Sequence, residues 1–572
     1  MSTLLEQSRQ KAETWLNSDI DAETKKAIEK LLNEKDANEL VNSFYKNLEF
    51  GTGGLRGIMG AGSNCINKYT IGAATQGFSN YLKKQNPGKE ITVVIGYDSR
   101  NNSKAFAQIT ANVFSANGIS VYLFEELRPT PLVSFAIRYL KCDGGVVITA
   151  SHNPKEYNGY KAYWSDGAQL IPPHDENIIE EVNSIDRFDQ INFSGDPNRI
   201  KIIGYEIDEA YYTEVLKLIP NKDRILRQKE IPIVYSSLHG AGITMVPECL
   251  KRIGFQNIIT VEEQETPDGN FPTVKSPNPE ERETMAMAME KAKQKNAELV
   301  MATDPDTDRV GIGIRDHEGN YFLINGNQGL SLMMWFILKN LKGYTNPYIV
   351  KTIVTTELVD TMAGALNITC INTLTGFKYI ADVMNKHAAE FVAAGEESYG
   401  YIVGDFVRDK DAVSACAFFA AMAACARDEG KSLYAWMIEM YCEFGFYKES
   451  LVNLVRKGAD GEQEIRKLMD NFRNNPPTKI IGQSVVSKLD YLSGQMIDNR
   501  TGKISNLDFP KSNVLQFYLE DGSKISVRPS GTEPKIKFYF SVNTNLSSPT
   551  DYQKVSLELD KKLKVLEEEL IP

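Results

Sequence analysis

The sequence lacks the features that mark several whole classes of protein. Its seven cysteines are scattered along 572 residues and none stands in a CxxC pair, which argues against a disulfide framework and against a zinc site. Acidic residues outnumber basic ones, giving a formal net charge of −11, whereas a nucleic-acid-binding surface needs a basic excess. We therefore expect reduced, mostly buried thiols and no nucleic-acid partner.

Long apolar runs are also missing. The most apolar stretch, residues 412–426, is bounded by Asp411 and Arg427. It is too short to cross a bilayer, so we predict a buried helix there. The opening residues, MSTLLEQSRQKAETW, carry early charges and no apolar core of a secretory signal. We expect a soluble, cytoplasmic protein with no membrane partner, present as a monomer or a weak homodimer.

The length predicts several domains, because a single hydrophobic core stops growing beyond about 250–300 residues. Short β-branched runs such as ITVVIGYD (91–98) and GGVVITA (144–150) alternate with amphipathic segments, a pattern typical of α/β layering. After Phe446 a DG turn (521–522), two further strands and an acidic helical tail predict a smaller α+β domain. The predicted divisions are an N-terminal helical extension (1–45), α/β domain I (46–205), α/β domain II (206–320), α/β domain III (321–445) and α+β domain IV (446–572).

Three apolar strands end in polar loops. These loops are TASHNP (149–154), TDPDTDR (303–309) and GEESYG (395–400). Ligands of open α/β sheets bind beyond the carboxyl ends of the strands. We therefore expect three α/β domains that share one cleft.

The loop 303–309 predicts a metal site. Asp304, Asp306 and Asp308 alternate after a strand, and three converging carboxylates repel one another unless a hard divalent cation lies between them. An EF-hand is excluded, because Arg309 occupies its glycine position and Arg315 the position of its bidentate glutamate. Arg309 also favours a phosphate nearby, since arginine bonds phosphate oxygens in pairs. The alternative is a solvated acidic loop.

A second loop, RPSGTEPK (528–535), has the composition of an anion-binding turn. Its glycine exposes backbone N–H groups, while Ser530 and Thr532 add hydroxyl donors and Arg528 and Lys535 add positive charge. The alternative is an ordinary Pro-Ser-Gly turn. GEESYG could hydrogen-bond sugar hydroxyls, but a helix-capping turn would explain it equally well.

Ser151 in TASHNP could be a cap, a nucleophile or a phosphate carrier. A triad hydrolase would need G-x-S-x-G around the serine, which this loop lacks. His152 is adjacent in sequence, which is a poor position for a base acting on the preceding side chain. A serine near a carboxylate-bound metal and an anion-binding turn fits a phosphoserine better, because its phosphate would supply the metal with an oxygen ligand.

TASHNP, DPDTDR, GEES and RPSGTEP, in that order, resemble the four signature loops of the α-D-phosphohexomutases. GTGGLRG (51–57) resembles the opening segment of that family, and the resemblance runs from about residue 45 to the C-terminus. Gly53, where many members carry serine, and the variant stretch YSSLHGAG (235–242) depart from the family pattern. The length and the aromatic residue after GEES resemble the phosphoglucomutase branch, and GEESYGYIVGDFVRDKDA resembles the subgroup of phosphoglucomutases and phosphopentomutases.

The resemblance implies three similar α/β domains plus a smaller α+β domain around a central cleft. It also implies a Mg²⁺-dependent isomerase that interconverts glucose 1-phosphate and glucose 6-phosphate, with glucose 1,6-bisphosphate as intermediate and activator. Pentose or mannose phosphates remain alternative substrates for the same mechanism.

Specific residues acquire roles through the same resemblance. Ser151 would be the phosphorylated serine, Asp304, Asp306 and Asp308 the magnesium ligands, and phospho-Ser151 a further ligand. The residues matched to the reacting phosphate are Arg56, His152, Lys161 and Arg309. Glu396 and Ser398 would contact sugar hydroxyls, and the non-transferred phosphate would be held by Arg528, Ser530, Gly531, Thr532 and Lys535. Lys161 or Lys410 would serve as general acid or base, a role for which a lysine needs a lowered pKa.

Two other classes of function stay open. The D-x-D after an apolar strand resembles the haloacid-dehalogenase enzymes, with Asp304 as nucleophile. Those enzymes carry Thr or Val at the fifth position, where this chain has Asp308. The other class is a non-catalytic sugar-phosphate-binding protein, which would bind sugar phosphates without turning them over.

Overall fold

A computed structural model describes residues 2–50, 54–456, 458–530 and 535–571. The chain forms two compact units. The first comprises Met1–Asn325, Ala381–Val392 and Ser398–Gly430, and the second comprises Gly326–Ile380, Ala393–Glu397 and Lys431–Pro572. In the part of the chain described, no helix combines the length and apolarity needed to cross a membrane.

Three helices lie in the first 44 residues of the chain. They are α1 (Ser2–Leu16), α2 (Ala22–Asn33) and α3 (Asn38–Phe44). Asp21 caps α2 by accepting a hydrogen bond from the backbone N–H of Thr24, which satisfies one of the unpaired donors of the first turn. Trp15 packs edge-on against Phe44 and Tyr69, so the extension shares a hydrophobic core with the domain that follows.

The first sheet has the strand order β1-β5-β4-β2-β3-β6. Its elements are β1 (Gly54–Ile58), α4 (Lys68–Gln85), β2 (Thr92–Tyr97), α5 (Ser103–Ala116), β3 (Ser120–Phe124), α6 (Thr130–Tyr139), β4 (Gly144–Ile148), β5 (Tyr157–Trp164), α7 (His174–Asn183) and β6 (Ile200–Ile203). Strands β4, β2, β3 and β6 are parallel to their neighbours in that series. Every residue of β4 is buried, as expected for a strand covered on both faces.

The second sheet has the order β11-β10-β9-β7-β8. Its elements are α8 (Tyr205–Leu218), α9 (Lys222–Arg227), β7 (Ile233–Ser236), α10 (Val246–Ile253), β8 (Ile258–Thr260), α11 (Glu262–Glu265), α12 (Arg282–Lys295), β9 (Leu299–Thr303), β10 (Val310–Arg315) and β11 (Tyr321–Ile324). Strand β7 pairs in parallel with β8 and β9, whereas β9 and β10 are antiparallel. The turn between β9 and β10 is the acidic loop 304–309.

The third sheet has the order β13-β12-β14-β15. Its elements are α13 (Gly326–Lys339), β12 (Pro347–Thr352), α14 (Leu358–Ala365), β13 (Thr369–Thr373), α15 (Phe377–Lys386), β14 (Glu390–Gly395), β15 (Tyr401–Val403), α16 (Ala412–Asp428) and α17 (Leu433–Phe444). The predicted helix at 412–426 lies within α16. Residues 412–426 of that helix are all buried, so the apolar run belongs to a protein core.

The C-terminal region is rich in antiparallel sheet, with the order β16-β23-β22-β21-β18-β19-β20 and β17 paired to β18. Its elements are β16 (Phe446–Val455), α18 (Gly458–Asn474), β17 (Lys479–Ile480), β18 (Gln483–Asp490), β19 (Gln495–Asp498), β20 (Lys503–Asn506), β21 (Leu515–Leu519), β22 (Lys524–Pro529), β23 (Lys535–Thr544) and α19 (Tyr552–Leu570). The predicted α+β region and its helical tail are confirmed.

Glu449 on β16 is a carboxyl group enclosed by the second unit. Within the described ranges its Oε1 atom is buried and accepts no hydrogen bond. Burial raises the pKa of Glu449 to about 7, and the nearby Glu357 adds to the rise, against the opposing effects of Lys524 and of the Thr356 and Ser541 hydroxyls. The folded protein therefore holds a proton here that the unfolded chain releases above its ordinary pKa of 4.5.

This difference predicts a pH-dependent stability. Because the folded-state pKa is the higher one, stability associated with Glu449 is greatest below pH about 4.5 and is lost as the pH rises towards 7, by up to about 3 kcal/mol. Glu449→Gln, which cannot ionise, should gain this amount relative to the wild type between pH 5 and pH 8 in chemical denaturation. The exposed Glu558→Gln is the control. A stability difference that stays constant with pH would contradict the prediction.

Candidate active site

The loop after β4 holds Ser151 in a particular backbone conformation. Ser151 has φ of 51°, in the left-handed region that residues other than glycine seldom adopt. Its side chain is buried, and its Oγ donates a hydrogen bond to Asp304 Oδ2 at 2.6 Å. His152 Nδ1 lies 3.3 Å from the same oxygen. Ser151 and Asp304, which are 153 residues apart in sequence, thus join the loops that follow β4 and β9.

The acidic loop after β9 gathers three buried carboxylates. One oxygen from each of Asp304, Asp306 and Asp308 lies within 4.8 Å of the others. The loop turns tightly, with Thr307 at φ of 59°, and Asp304 Oδ1 accepts the backbone N–H groups of Asp308 and Arg309 at 3.0 Å each. The turn therefore fixes Asp304 and aims the other two carboxylates inwards.

The donor set fits a divalent metal ion. Among the residues that the structure describes, Asp306 Oδ1 and Asp308 Oδ1 are buried without a hydrogen-bond partner. Buried carboxylate oxygens left unpaired cost free energy. Hard cations such as Mg²⁺ prefer carboxylate oxygens, so a metal ion would satisfy both atoms. The prediction that these aspartates converge on one point is met by the geometry.

Two lysines neutralise part of this negative charge. Lys161 on β5 donates to Asp306 Oδ2 at 2.7 Å and to Asp308 Oδ2 at 2.8 Å. Lys410 lies 3.2 Å from Asp308 Oδ2 and 3.0 Å from Asp409 Oδ1. Both lysines are buried. Strand β5 and the loops after β9 and β15 thus bring the carboxylates of Asp306, Asp308 and Asp409 and two lysine side chains together.

These neighbours set the ionisation of the site. Burial raises the pKa of Asp304 well above its ordinary value, and the charges of Asp306 and Asp308 raise it further. Burial by itself would raise the pKa of Asp308, but the ammonium groups of Lys161 and Lys410 outweigh that effect and hold this pKa below the ordinary value. Burial lowers the pKa of Lys161, yet the Asp306 and Asp308 carboxylates outweigh it and raise that pKa. The pKa of Lys161 is therefore raised, whereas a lysine that acts as a general acid or base needs a lowered pKa.

Two arginines approach the serine loop. Arg56 on β1 donates to Asn153 Oδ1 at 3.2 Å. Arg309 donates to Glu280 Oε1 at 2.5 Å and lies 3.8 Å from Asp308 Oδ1. Burial and the positive charges of these two arginines lower the pKa of His152 well below its ordinary value. His152 is therefore a neutral side chain beside Ser151.

The GEES loop is divided between the two units. Glu396 belongs to the second unit, is buried, and accepts the backbone N–H of Gly376 at 2.8 Å. Glu397 accepts the hydroxyl of Thr355 at 3.0 Å. Ser398 belongs to the first unit and is half-buried in the turn between β14 and β15.

The anion-binding turn follows β22. Arg528 lies on β22 opposite Lys537 of β23, and it hydrogen-bonds the hydroxyl of Tyr539. The backbone N–H of Ser530 donates to the carbonyl of Lys535 at 2.8 Å, which closes the turn at its two ends. Gly531 and Thr532 lie outside the described residues.

Sequence reasoning missed several residues around Ser151. Thr130 donates to Asp306 Oδ2 at 2.9 Å, and Tyr163 donates to Asp409 Oδ2 at 2.7 Å. Asp98 and Arg100 follow β2 and contact the serine loop. The stretch ITVVIGYDSR is also an apolar strand that ends in charged residues, so the same pattern could have identified Asp98 and Arg100.

Comparisons with known proteins agree with this architecture. Family models described as phosphoglucomutase/phosphomannomutase, alpha/beta/alpha domains I, II and III, match residues 47–189, 209–319 and 325–444. The phosphoglucomutase of Staphylococcus haemolyticus (strain JCSC1435) is 36% identical over 506 residues, which cover 88% of this chain and 91% of that protein. The phosphoglucomutase of Staphylococcus aureus (strain MRSA252) is 37% identical over 506 residues, covering 87% and 90% respectively.

Solved structures share the fold. The Paramecium exocytosis-sensitive phosphoprotein pp63/parafusin (phosphoglucomutase), in its open form, gives a TM-score of 0.69 at 18% identity and covers 92% of this chain and 96% of that one. A phosphoglucomutase/phosphomannomutase family protein from Burkholderia thailandensis gives 0.63 at 19% identity, covering 91% and 97%. The predicted family and the predicted three α/β domains with a C-terminal sheet domain are confirmed, and this chain belongs to the phosphoglucomutase/phosphomannomutase (α-D-phosphohexomutase) family.

Proposed function

We propose that this protein is a phosphoglucomutase, which interconverts glucose 1-phosphate and glucose 6-phosphate through a phosphorylated Ser151. One observation carries the proposal: the hydroxyl of Ser151 lies 2.6 Å from a carboxylate of a buried aspartate triad that fits a divalent metal. A serine that only capped a helix would not need a buried aspartate triad beside its hydroxyl. The relatives that are 36–37% identical over most of the chain carry the name phosphoglucomutase.

The reaction needs a phosphoryl group to move between Ser151 and the sugar. The P–O bond to Ser151 Oγ breaks while a new P–O bond to the free sugar hydroxyl forms. The hydroxyl proton passes to a base, and Ser151 Oγ takes up a proton as the phosphoryl group leaves it. The resulting glucose 1,6-bisphosphate returns its other phosphoryl group to Ser151. The protonated Lys161 and Lys410, and the guanidinium groups of Arg56 and Arg309, supply positive charge around the transferring group.

Mg²⁺ is the proposed metal, with Asp304, Asp306, Asp308 and a phosphate oxygen on Ser151 as ligands, and when bound it would neutralise charge on the phosphoryl oxygens. Arg309 is paired with Glu280 in the ligand-free chain, so a phosphate would have to compete with that carboxylate. His152 is proposed to line the phosphate site as a neutral group.

Recognition of the rest of the substrate is assigned to other loops. Glu396 and Ser398 would accept and donate hydrogen bonds to sugar hydroxyls. The phosphate that is not transferred would be held by Arg528, Ser530, Gly531, Thr532 and Lys535. The proposal also includes the domain boundaries given by the sequence and a cytoplasmic location. The protein would be a monomer or a weak homodimer, with glucose 1,6-bisphosphate as its activator.

Peptide-level mass spectrometry tests the proposal directly. The purified protein should acquire one phosphate on Ser151 when it is incubated with glucose 1,6-bisphosphate and Mg²⁺, and glucose 6-phosphate should remove it. Phosphate on Asp304 instead would favour the haloacid-dehalogenase chemistry. Binding of glucose 6-phosphate without phosphorylation or turnover would favour a sugar-phosphate-binding protein.

A substrate panel separates the proposed sugar from its alternatives. Glucose, mannose and ribose 1-phosphates would be compared under the same bisphosphate activation. We expect the highest kcat/KM for glucose 1-phosphate. A higher value for ribose or mannose 1-phosphate would move the assignment to phosphopentomutase or phosphomannomutase with the mechanism unchanged.

A further inference from the structure

The peptide groups on both sides of Ser151 are held by a buried pair of side chains from the end of β2. Arg100 donates to the Ser151 carbonyl at 2.6 Å. The Ser151 N–H donates to Thr149 Oγ1 at 2.8 Å, and that hydroxyl donates onward to Asp98 Oδ2 at 2.6 Å. Asp98, Thr149 and the Arg100 side chain are buried, so water does not compete for these bonds.

Arg100 does more than hold one carbonyl. Its guanidinium also donates to the carbonyls of Pro154 at 2.9 Å and Tyr157 at 3.0 Å, and to that of Asn153. Four carbonyls of one loop therefore converge on one guanidinium. The planar guanidinium offers five N–H donors in a fixed arrangement, which a lysine ammonium cannot reproduce.

Asp98 contacts both Thr149, which accepts the Ser151 N–H, and Arg100, which donates to the Ser151 carbonyl. Its Oδ1 accepts the Arg100 backbone N–H at 2.9 Å and the Ser103 hydroxyl at 2.7 Å, and its Oδ2 lies 3.4 Å from Arg100 Nε. On its other side the Arg100 guanidinium lies 5.1 Å from the centre of the Phe271 ring. Arg100 is therefore fixed by a carboxylate and an aromatic ring and cannot follow the loop if the loop relaxes.

We infer that Arg100 and Thr149 are positioning residues for phosphoryl transfer, which hold Ser151 in its left-handed conformation so that Oγ points at the aspartate triad. This inference rests on the proposed function. A serine seldom adopts φ near +51° unless its surroundings enforce it, and here the enforcing contacts grip the N–H and the carbonyl of the serine itself. Neither residue touches Oγ, so neither is catalytic.

The Thr149 hydroxyl gives the sharpest test. Thr149→Val keeps the shape of the side chain but loses both hydrogen bonds, whereas Thr149→Ser keeps them. Because a displacement of about 1 Å can cost about 100-fold in rate, we expect Thr149→Val to lower kcat at least about 30-fold, while Thr149→Ser retains it. The KM for glucose 1-phosphate should stay nearly unchanged in both, because the substrate contacts are intact.

Arg100→Lys is the second variant, and Arg252→Lys is its matched control. Like Arg100, Arg252 lies over an aromatic ring, 4.3 Å from the centre of Tyr212, but its guanidinium donates to the carboxylates of Glu209 and Glu248 instead of loop carbonyls. Both substitutions should lower the melting temperature, but only Arg100→Lys should slow single-turnover transfer from phospho-Ser151 to glucose 1-phosphate. If Arg100→Lys does not fold, the two Thr149 variants decide.

Failure of this inference is distinguishable from failure of the proposed function. The wild-type protein is assayed first for phosphate on Ser151 and for mutase turnover, and their absence would overturn the proposed function. If the wild type is active, the inference is overturned when Thr149→Val retains the wild-type kcat. It is also overturned when the kcat of Thr149→Ser falls as far as that of Thr149→Val. Equal effects of Arg100→Lys and Arg252→Lys on transfer would overturn it as well.

Discussion

Replacing Ser151 by alanine should abolish mutase turnover, with kcat reduced by at least about 10⁴-fold. The reason is that Oγ is the atom to which the phosphoryl group is attached between the two half-reactions, and the alanine side chain has no oxygen to take its place. Thr149 is the nearest candidate in the loop, but its hydroxyl is already engaged with Asp98 and the Ser151 N–H. A coupled assay started with glucose 1-phosphate and the bisphosphate measures this loss.

The control for this variant is Ser79→Ala. Ser79 is buried on α4, where its hydroxyl donates to the carbonyl of Thr75 at 2.7 Å. Ser79→Ala should lower the stability by the loss of a buried serine hydroxyl, as Ser151→Ala does, while leaving turnover intact. If Ser151→Ala retains a tenth or more of the wild-type kcat, the serine is only a turn residue and the phosphoserine mechanism is wrong.

Asp306→Asn should have the second large effect, by removing a metal ligand. Asp306 Oδ1 is one of the two buried oxygens of the aspartate triad that accept no hydrogen bond from the described residues, and an amide at this position is a weaker ligand for a hard cation than a carboxylate. We expect the affinity for a divalent ion to fall at least about 100-fold and turnover to fall with it. Binding of Mn²⁺, followed by electron paramagnetic resonance, measures the affinity independently of activity.

Asp208→Asn provides the comparison for that variant. Asp208 is a buried aspartate that accepts two hydrogen bonds from Arg128 Nε and one from Nη2, so its loss also breaks a buried ion pair. It should reduce stability without altering Mn²⁺ binding. Unchanged Mn²⁺ affinity in Asp306→Asn would mean that Asp306 is not a metal ligand and serves only to pair with Lys161 and to accept the Thr130 hydroxyl.

Much of the fold followed from local sequence patterns. The predicted strands 91–98 and 144–150 contain β2 and β4, and the predicted helix 412–426 lies within α16. Such elements are predictable because the period of apolar residues and the turn residues at their ends act over a few neighbours. The bounds of the four domains and the assigned roles of the site residues stay predictions.

The pairing inside the site could not be predicted in the same way. The sequence placed Lys161 near the reacting phosphate, but it did not show that its ammonium group bridges Asp306 and Asp308 and so has a raised pKa. It also passed over Arg100: the strand ending ITVVIGYDSR could have marked this arginine as a site residue, but its four carbonyl partners are visible only in the structure. These properties depend on which side chains share a buried volume.

The sequence by itself determined the chemistry of the loops: a serine after one strand, three alternating aspartates after another, and the family to which that combination belongs. Only the tertiary structure decided which atoms meet. It brought Ser151 Oγ against Asp304 and placed four carbonyls of the serine loop around Arg100. It also left Asp306 Oδ1 and Asp308 Oδ1 without a hydrogen bond from the described residues. The physical reason is range, since loop composition is local, whereas contacts between residues 153 positions apart arise from the packing of whole sheets.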